Sequence, residues 1–382
     1  MKSKAPRIFL GLSEMASITA TYQKAFNALG YQTFSVVIRK NPYYPDSYYD
    51  KVLLKGDPAA LRRDIFSRVL RALWLRCLKL FLFPRALLTC DIFIFISGTH
   101  LLPFYLDYLL LRLFRKQIIS IFVGSDIRSA EAFEQEMREL GVLEEIQPFV
   151  RFVYSLKGAR YSTKRRIVQA AERYSTLILS QPGYGQLQQR PYMRFTVPLD
   201  IAQFKFHIPD RAVPLIVHIP SRPEVKGTDK VLEAIEQLKA EGLAFEFRLI
   251  QNTPNAQVRE MLSESDIVID ELYSETIAVL STESMASGNA VLVRYMADYA
   301  KVPEGCPAIN VTKDTLAEKL REVIENQELR RSLALAGRPY VEANNDHLKV
   351  TQQILDWLAE EKIANYDFTP TFYQRFKRAQ HK

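Results

Sequence analysis

Two basic residues, Arg222 and Lys226, open the stretch PSRPEVKGTDKVLEAIEQL and precede an expected helix start at Gly227-Thr228. Two fixed cations beside the free N–H groups of a helix N-terminus are what a diphosphate requires. The same pair also suits a solvated loop between strand and helix. Further on, SDIVIDELYSETIAVLSTESMASGNAVLVRY places Glu275 and Glu283 in an E-x7-E spacing, with Gly288 closing a helix. If Glu283 lies in the first turns of that helix and Glu275 in the preceding loop, the two are at most about 12 Å apart. A nucleotide sugar across the helix N-terminus fits that span, with one carboxylate near hexose hydroxyls and the other accepting from ribose hydroxyls. Simple exposure, or compensation of the helix dipole, is the alternative. The chain has no D-x-D carboxylate pair of the kind that holds Mn²⁺ or Mg²⁺. No metal and no cofactor are therefore expected, and the cations together with a helix N-terminus would carry the phosphate charge.

The elements that must position these residues alternate in type. RIFLGL (7–12), 33–38, DIFIFI (91–96), IISIFV (118–123) and TLIL (176–179) are apolar runs of strand length, and helical patterns lie at 19–29 and near 101–114. Four prolines, Pro191, Pro198, Pro209 and Pro214, then mark a change of texture. The alternation restarts with strands at 215–219, 245–250, 267–269 and 290–293, separated by helices at 227–241 and 255–263 and one ending at Gly288. Residues 315–361 are helical in pattern. The expected architecture is α/β, two Rossmann-like doubly wound domains facing each other across a cleft that binds ligand. The domains are expected at 1–198 and 199–361, with the tail 362–382 returning to the first.

Charge divides along the same line. The 382 residues carry 51 Lys+Arg and 43 Asp+Glu, net +8, yet residues 1–200 hold 29 basic and 16 acidic side chains and the remainder 22 and 27. The basic half points to a polyanion. Residues 61–88, LRRDIFSRVLRALWLRCLKLFLFPRALL, mix Arg62, Arg63, Arg68, Arg71, Arg76, Lys79 and Arg85 with Trp74, Phe81 and Phe83. Cations recurring every few positions exclude a membrane span. An amphipathic helix on an anionic membrane surface, with the three aromatics inserted, fits the composition; a core-facing helix with a solvated basic side is the alternative. Residues 101–116, ending in Arg112, Arg115 and Lys116, line the same surface in this reading. No nucleic-acid recognition module is visible. Cys77, Cys90 and Cys306 form neither a zinc nor a disulfide pattern, which fits a reducing compartment. Met1 to Phe9 passes into a strand without a signal-peptide core and reads as a mature start.

Asp126 and Arg128 follow a first-half strand, at the edge where such sheets bind ligands, and are candidates for positioning an acceptor. A turn-capping Asp and a surface Arg is the other reading. His100 follows a strand end and is a weaker acceptor-side candidate. His218, inside a strand, reads as a satisfied core histidine.

The motifs PSRPEVKGT, SDIVIDE and ETIAVLSTESMASGNAVLVRY, in this order and spacing, resemble the C-terminal domain of retaining glycosyltransferases of the GT-B fold, particularly family 4, over about residues 214–358. LGLSEMASITATYQKAFNALGYQTFSV, HLLPFYLDYLLLRLF and FVGSDIRS are similar to the N-terminal domain of the bacterial surface-polysaccharide members, and VPLDIAQF to the link. The resemblance implies sugar transfer, without metal, from a nucleotide diphosphate donor to a lipid-linked or surface-glycan acceptor, by an enzyme peripheral on the inner face of the cell membrane. It implies that Arg222, Lys226 and Gly227 hold the diphosphate, that Glu283 binds the ribose, that Glu275 lies beside the donor sugar, and that Gly11 approaches the donor. The chain departs from the pattern at Thr276-Ile277-Ala278, where relatives carry glycines, at the single glycine of residues 11–17, and at Val123, where they carry histidine. Those departures favour the alternative of a catalytically silent GT-B binding or scaffold protein. A soluble transferase acting on small metabolites is a third reading.

Overall fold

The structure, a computed structural model, describes residues 5–55, 65–156, 158, 161–360 and 365–380. Arg62 and Arg63 of the basic stretch lie outside the described residues. The chain forms two compact units, one made of Met1–Ile127, Ser162–Phe195 and Thr351–Tyr373, the other of Arg128–Tyr161, Thr196–Val350 and Gln374–Lys382.

The first unit holds seven strands: β1 (Arg7–Leu12), β2 (Gln32–Val37), β3 (Lys51–Val52), β4 (Ile92–Ile96), β5 (Gln117–Ile121), β6 (Leu177–Ser180) and β7 (Met193–Arg194). Their order is β3-β2-β1-β4-β5-β6-β7 and every pairing is parallel. Strand order reverses between β1 and β4, with Leu10 opposite Ile94. β4 is buried along its whole length, as a parallel strand covered on both faces must be. Phe9, Phe34, Phe93 and Phe95 fill one face, and Phe95 stacks on Tyr108 at 4.8 Å between ring centroids.

The 25-residue helix Ile65–Thr89 packs on that face through Leu82, Phe83 and Ala86, with Leu75, Leu78 and Leu87 partly buried beside them. The recurrence at three and four residues is that of one helix face. Phe83 is therefore a core residue, which corrects the expectation that it inserts into a membrane. Lys79 is on the inward side too, its Nζ donating to the His100 carbonyl at 2.9 Å. Burial lowers its pKa, so the expectation of a surface cation fails there as well. Phe66, Val69, Leu70, Leu73, Trp74, Leu80, Phe81 and Leu88 remain exposed, as do Arg68 and Arg76, while Arg71 is half-buried. The neighbouring helix begins later than its sequence suggests. Pro103–Tyr105 forms a tight turn with Phe104 and Tyr105 at positive φ, and the helix proper is Leu106–Leu113. Asp107 sets this start by accepting from the Leu101 N–H at 2.5 Å. Among the described residues no helix is long and apolar enough to cross a membrane.

The second unit holds β8 (Leu215–His218), β9 (Glu246–Leu249), β10 (Ile267–Ile269), β11 (Ala290–Val293) and β12 (Ile309–Asn310), parallel and in the order β12-β11-β10-β8-β9. Ile216, Ile267, Ile269 and Leu292 face one layer of helices. Leu215, Val217, Val268, Val291 and Val293 face the other, the alternation a pleated strand imposes. Helix Thr228–Ala240 covers the first face through Val231, Ala234, Ile235 and Leu238. Strand order reverses between β8 and β10, so the carboxyl ends of these two strands form the crevice where such a sheet takes ligands.

Candidate functional site

The crevice of the second unit is lined by the residues that follow β8 and β10. His218 ends β8 with both ring nitrogens engaged, Nδ1 at 2.8 Å from the Ile269 carbonyl and Nε2 at 2.9 Å from the Thr228 hydroxyl. Burial pushes its pKa down to about 4. A neutral ring that donates through Nδ1 and accepts at Nε2 satisfies both contacts, as expected for a core histidine.

Arg222 precedes, and Lys226 ends, a one-turn helix, Pro223–Lys226, where a loop was expected. Gly227 follows at φ 74°, a left-handed turn in which a Cβ would lie 3.0 Å from that of Leu272. Glycine allows both the turn and the close approach, and helix Thr228–Ala240 starts immediately after. Arg222 is exposed and rests on the Phe152 ring, 4.5 Å from its centroid. Lys226 is not an open cation. Its ammonium is buried, paired with Asp270 Oδ1 and 3.4 Å from Glu271 Oε1. Burial alone lowers its pKa, but the two carboxylates outweigh burial and raise it. Asp270 also accepts through Oδ2 from the Ser281 N–H at 3.0 Å and hydroxyl at 2.7 Å. One carboxylate thus joins Lys226 to the start of helix Val279–Ser287, where free N–H groups favour negative charge. The pKa of Glu271 is raised, first by burial and then by the proximity of Asp270 and Glu275, against the pull of Lys226.

Glu283 lies in the second turn of helix Val279–Ser287 and Glu275 in the loop before it, the arrangement the spacing predicts. Glu283 Oε1 accepts from the Asn255 amide at 3.1 Å, and Asn255 in turn accepts from Arg259 at 2.5 Å. Burial raises the Glu283 pKa to about 7; Lys226 and Asp270 act on it electrostatically. Glu275 is buried and its Oε1 accepts from Arg128. Sequence reasoning missed Asp270, Glu271 and Asn255. Two acids directly after the apolar run IVI were the available signal for the first two; nothing local marks Asn255.

The remaining candidates are placed as follows. Arg128 is 1% exposed, which corrects the surface reading, and it belongs to the second unit with Glu275. Asp126 belongs to the first unit and caps its own turn, accepting from the Val123 N–H at 2.9 Å. Burial raises its pKa to about 6. Lys164 fastens the same turn through the carbonyls of Ser125 and Asp126. His100 Nδ1 lies 2.7 Å from the Leu102 carbonyl and its ring rests against Tyr105. Gly11 lies in β1, where a Cβ would press on the Val36 carbonyl at 2.8 Å. Packing within the sheet suffices to explain that glycine. Its carbonyl accepts from Thr99, whose hydroxyl oxygen also lies 3.0 Å from the Leu12 N–H.

Two doubly wound parallel sheets in series, with ligand-type side chains at the switch point of the second, define the GT-B fold. No known protein-family profile matches the chain, and no curated protein matches it in sequence. Solved glycosyltransferase structures share the fold. Sucrose-phosphate synthase (tll1590) from Thermosynechococcus elongatus matches with a TM-score of 0.62 at 13% identity, over 93% of this chain and 98% of that one. Anabaena Alr3699/HepE, in complex with UDP-glucose, matches with 0.58 at 14% identity, over 92% and 99%. WaaG, a glycosyltransferase involved in lipopolysaccharide biosynthesis, matches with 0.57 at 14% identity, over 92% and 99%.

Proposed function

We propose that the protein is a glycosyltransferase that moves a hexose-like sugar from a nucleotide diphosphate donor to a lipid-linked or surface-glycan acceptor. It acts with retention, without a metal, at the inner face of the cell membrane. The observation that carries this reading is the placement of Glu275 and Glu283 on either side of the start of helix Val279–Ser287, beside Lys226, at the switch point of a GT-B fold. That HepE, with the same fold, is known in complex with UDP-glucose supports a nucleotide-sugar donor.

In this reading the diphosphate lies between Arg222, Lys226 and the first N–H groups of helix Thr228–Ala240, Glu283 accepts from the ribose, and Glu275 accepts from the sugar. The bond from the anomeric carbon to the phosphate oxygen breaks and the acceptor oxygen bonds on the same face. The acceptor proton passes to the departing diphosphate. Stabilising the leaving group's charge is the principal task, and two cations with helix N–H groups perform it. Asp126 and His100 stay on the acceptor side, and the exposed face of helix Ile65–Thr89 meets the membrane. A second reading, a catalytically silent binding protein, is favoured by one observation: Lys226 already has two carboxylates.

Thermal-shift measurements against UDP, GDP, ADP and CMP, followed by assays of nucleoside diphosphate release from nucleotide sugars, test the proposal. One nucleotide is expected to stabilise the protein and its sugar conjugate to be hydrolysed slowly. Absence of binding to all of them sinks the donor reading; binding without turnover favours the silent one. Glu283→Gln adds a check on sign. A carboxyl pKa raised from 4.5 to about 7 on folding means the native state holds the proton more tightly. The burial penalty is then absent at low pH and complete above pH 7. Glu283→Gln should weaken nucleotide binding about tenfold or more. Its stabilising effect should nevertheless grow by about 2 kcal/mol between pH 5 and pH 8. A pH-independent effect on stability contradicts the buried-carboxyl account.

A further inference from the structure

The segment 128–156 carries two helices, Ala130–Glu139 and Gln147–Ser155, and it is fastened to the loop that holds Glu275. Arg294 donates through Nε to Glu145 at 2.5 Å and through a terminal nitrogen to the Ser274 carbonyl at 2.6 Å. Tyr299 donates to Glu136 at 2.7 Å. The Glu275 carbonyl accepts from the Met296 N–H at 3.0 Å. At the centre, the Arg128 guanidinium rests against two rings that meet edge to face, 4.4 Å from the centroid of Phe133 and 4.7 Å from that of Phe149, and donates to Glu275 Oε1.

The two oxygens of Glu275 are not equivalent. Oε1 is held by Arg128; Oε2 is buried and has no hydrogen-bond partner among the described residues. Leaving a buried acceptor unsatisfied is destabilising, more so when it is charged. Arg294 and Tyr299, the other polar side chains of this network, are held by the contacts above, which leaves room for a hydroxyl from outside the protein as a donor to Oε2.

We propose that Arg128 is a positioning residue for the donor sugar: it clamps one oxygen of Glu275 so that the other accepts from a sugar hydroxyl. The inference rests on the reading of Glu275 as the carboxylate beside the donor sugar. Arginine suits the role because a planar, permanently charged fork both packs against aromatic rings and bonds along its edge, which lysine does not. This role places the start of the segment 128–156 beside the sugar, while Phe152 farther along rests against Arg222. UDP lacks the group that Oε2 would receive, and UDP-glucose has it.

Calorimetric titration with UDP and with UDP-glucose, or with the first nucleotide and nucleotide-sugar pair found to bind, separates the possibilities. Arg128→Lys and Arg128→Met are compared with Glu275→Gln, with the melting temperature of each variant recorded. In the Arg128 variants, affinity for UDP should stay within about twofold, while affinity for UDP-glucose should fall about tenfold or more, one hydrogen bond to a charged group. Glu275→Gln should show the same split, and Glu275→Gln with Arg128→Met should lose less than the sum of the two. If Glu275→Gln gives the split and both Arg128 variants bind UDP-glucose like the wild type, the positioning role is wrong while the reading of Glu275 stands. If Glu275→Gln gives no split, or no nucleotide sugar binds the wild type, the reading of Glu275 fails and the proposal with it. Parallel loss of UDP and UDP-glucose in the folded Arg128→Lys protein assigns Arg128 a structural role only. Should Arg128→Met fail to fold, Arg128→Lys carries the test.

Discussion

Asp270→Ala should cost the second unit about 3–5 kcal/mol, because it breaks a buried ion pair by removing one partner. Asp270 is fully buried and meets three donors at once: the Lys226 ammonium, the Ser281 N–H and the Ser281 hydroxyl. Alanine leaves the ammonium with Glu271 at 3.4 Å as its remaining carboxylate and leaves two donors at the start of helix Val279–Ser287 without their acceptor. Asp270→Asn keeps an acceptor for Ser281 and removes the charge, so it should cost less. In Lys226→Met with Asp270→Ala, the two changes should fall short of additive by more than about 1 kcal/mol. The choice of probe matters. Both tryptophans, Trp74 and Trp357, belong to the first unit, so their fluorescence reports that unit. Hydrogen exchange of the β8 and β10 amides reports the second. A loss of protection below about 1 kcal/mol in Asp270→Ala would show that the network is not structural.

Replacing Arg68, Arg71 and Arg76 together by glutamine is expected to weaken binding to anionic vesicles about 100-fold. Each Lys or Arg near such a surface contributes about 1 kcal/mol, and about 3 kcal/mol is two decades of affinity. The effect should shrink as salt shortens the screening length. Trp74→Ala and Phe81→Ala, at side chains 60% and 80% exposed, should weaken binding to neutral and anionic vesicles alike, since they remove insertion rather than charge. Lys79→Gln is the internal control. Its ammonium bonds the His100 carbonyl, so vesicle binding should change little. Sedimentation with phosphatidylglycerol and phosphatidylcholine vesicles makes the measurement. Equal binding by wild type and triple variant would remove the charged membrane face from the proposal and leave a transferase of soluble substrates.

Much of the fold was legible because parallel strands covered on both faces must be apolar throughout. RIFLGL, DIFIFI, LIVH, IVI and AVLV stand out for that reason, and the observed strands fall within a residue or so of them. The edge strands Lys51–Val52, Met193–Arg194 and Ile309–Asn310, two residues each, are too short to show a period. Helix Ile65–Thr89 was recognisable, but not which of its aromatics turned inward. Phe83 and Phe81 differ in local sequence only by position, and the sheet beneath decides between them. At the site, Glu275 and Glu283 were visible from their spacing, and Arg222 and Lys226 from their charge. That Lys226 is neutralised by Asp270, and that Arg128 reaches Glu275, depends on chain segments far apart in sequence, which periodicity does not encode.

Neither compact unit is a continuous stretch of chain, and this bears on how the protein is made. The first unit draws on residues 351–373 and the second on residues 128–161. During synthesis, at about 5–20 residues per second, the strands β1 to β7 leave the ribosome well before the segment that completes their unit. The helices of residues 130–155 emerge before any strand of the sheet they join. Domains usually finish in order from the N-terminus, but here the first to begin ends among the last. Until residue 368 is made, Tyr192 waits for the Phe368 ring, 5.1 Å away between centroids, on a nascent chain that already carries the exposed apolar side chains of helix Ile65–Thr89.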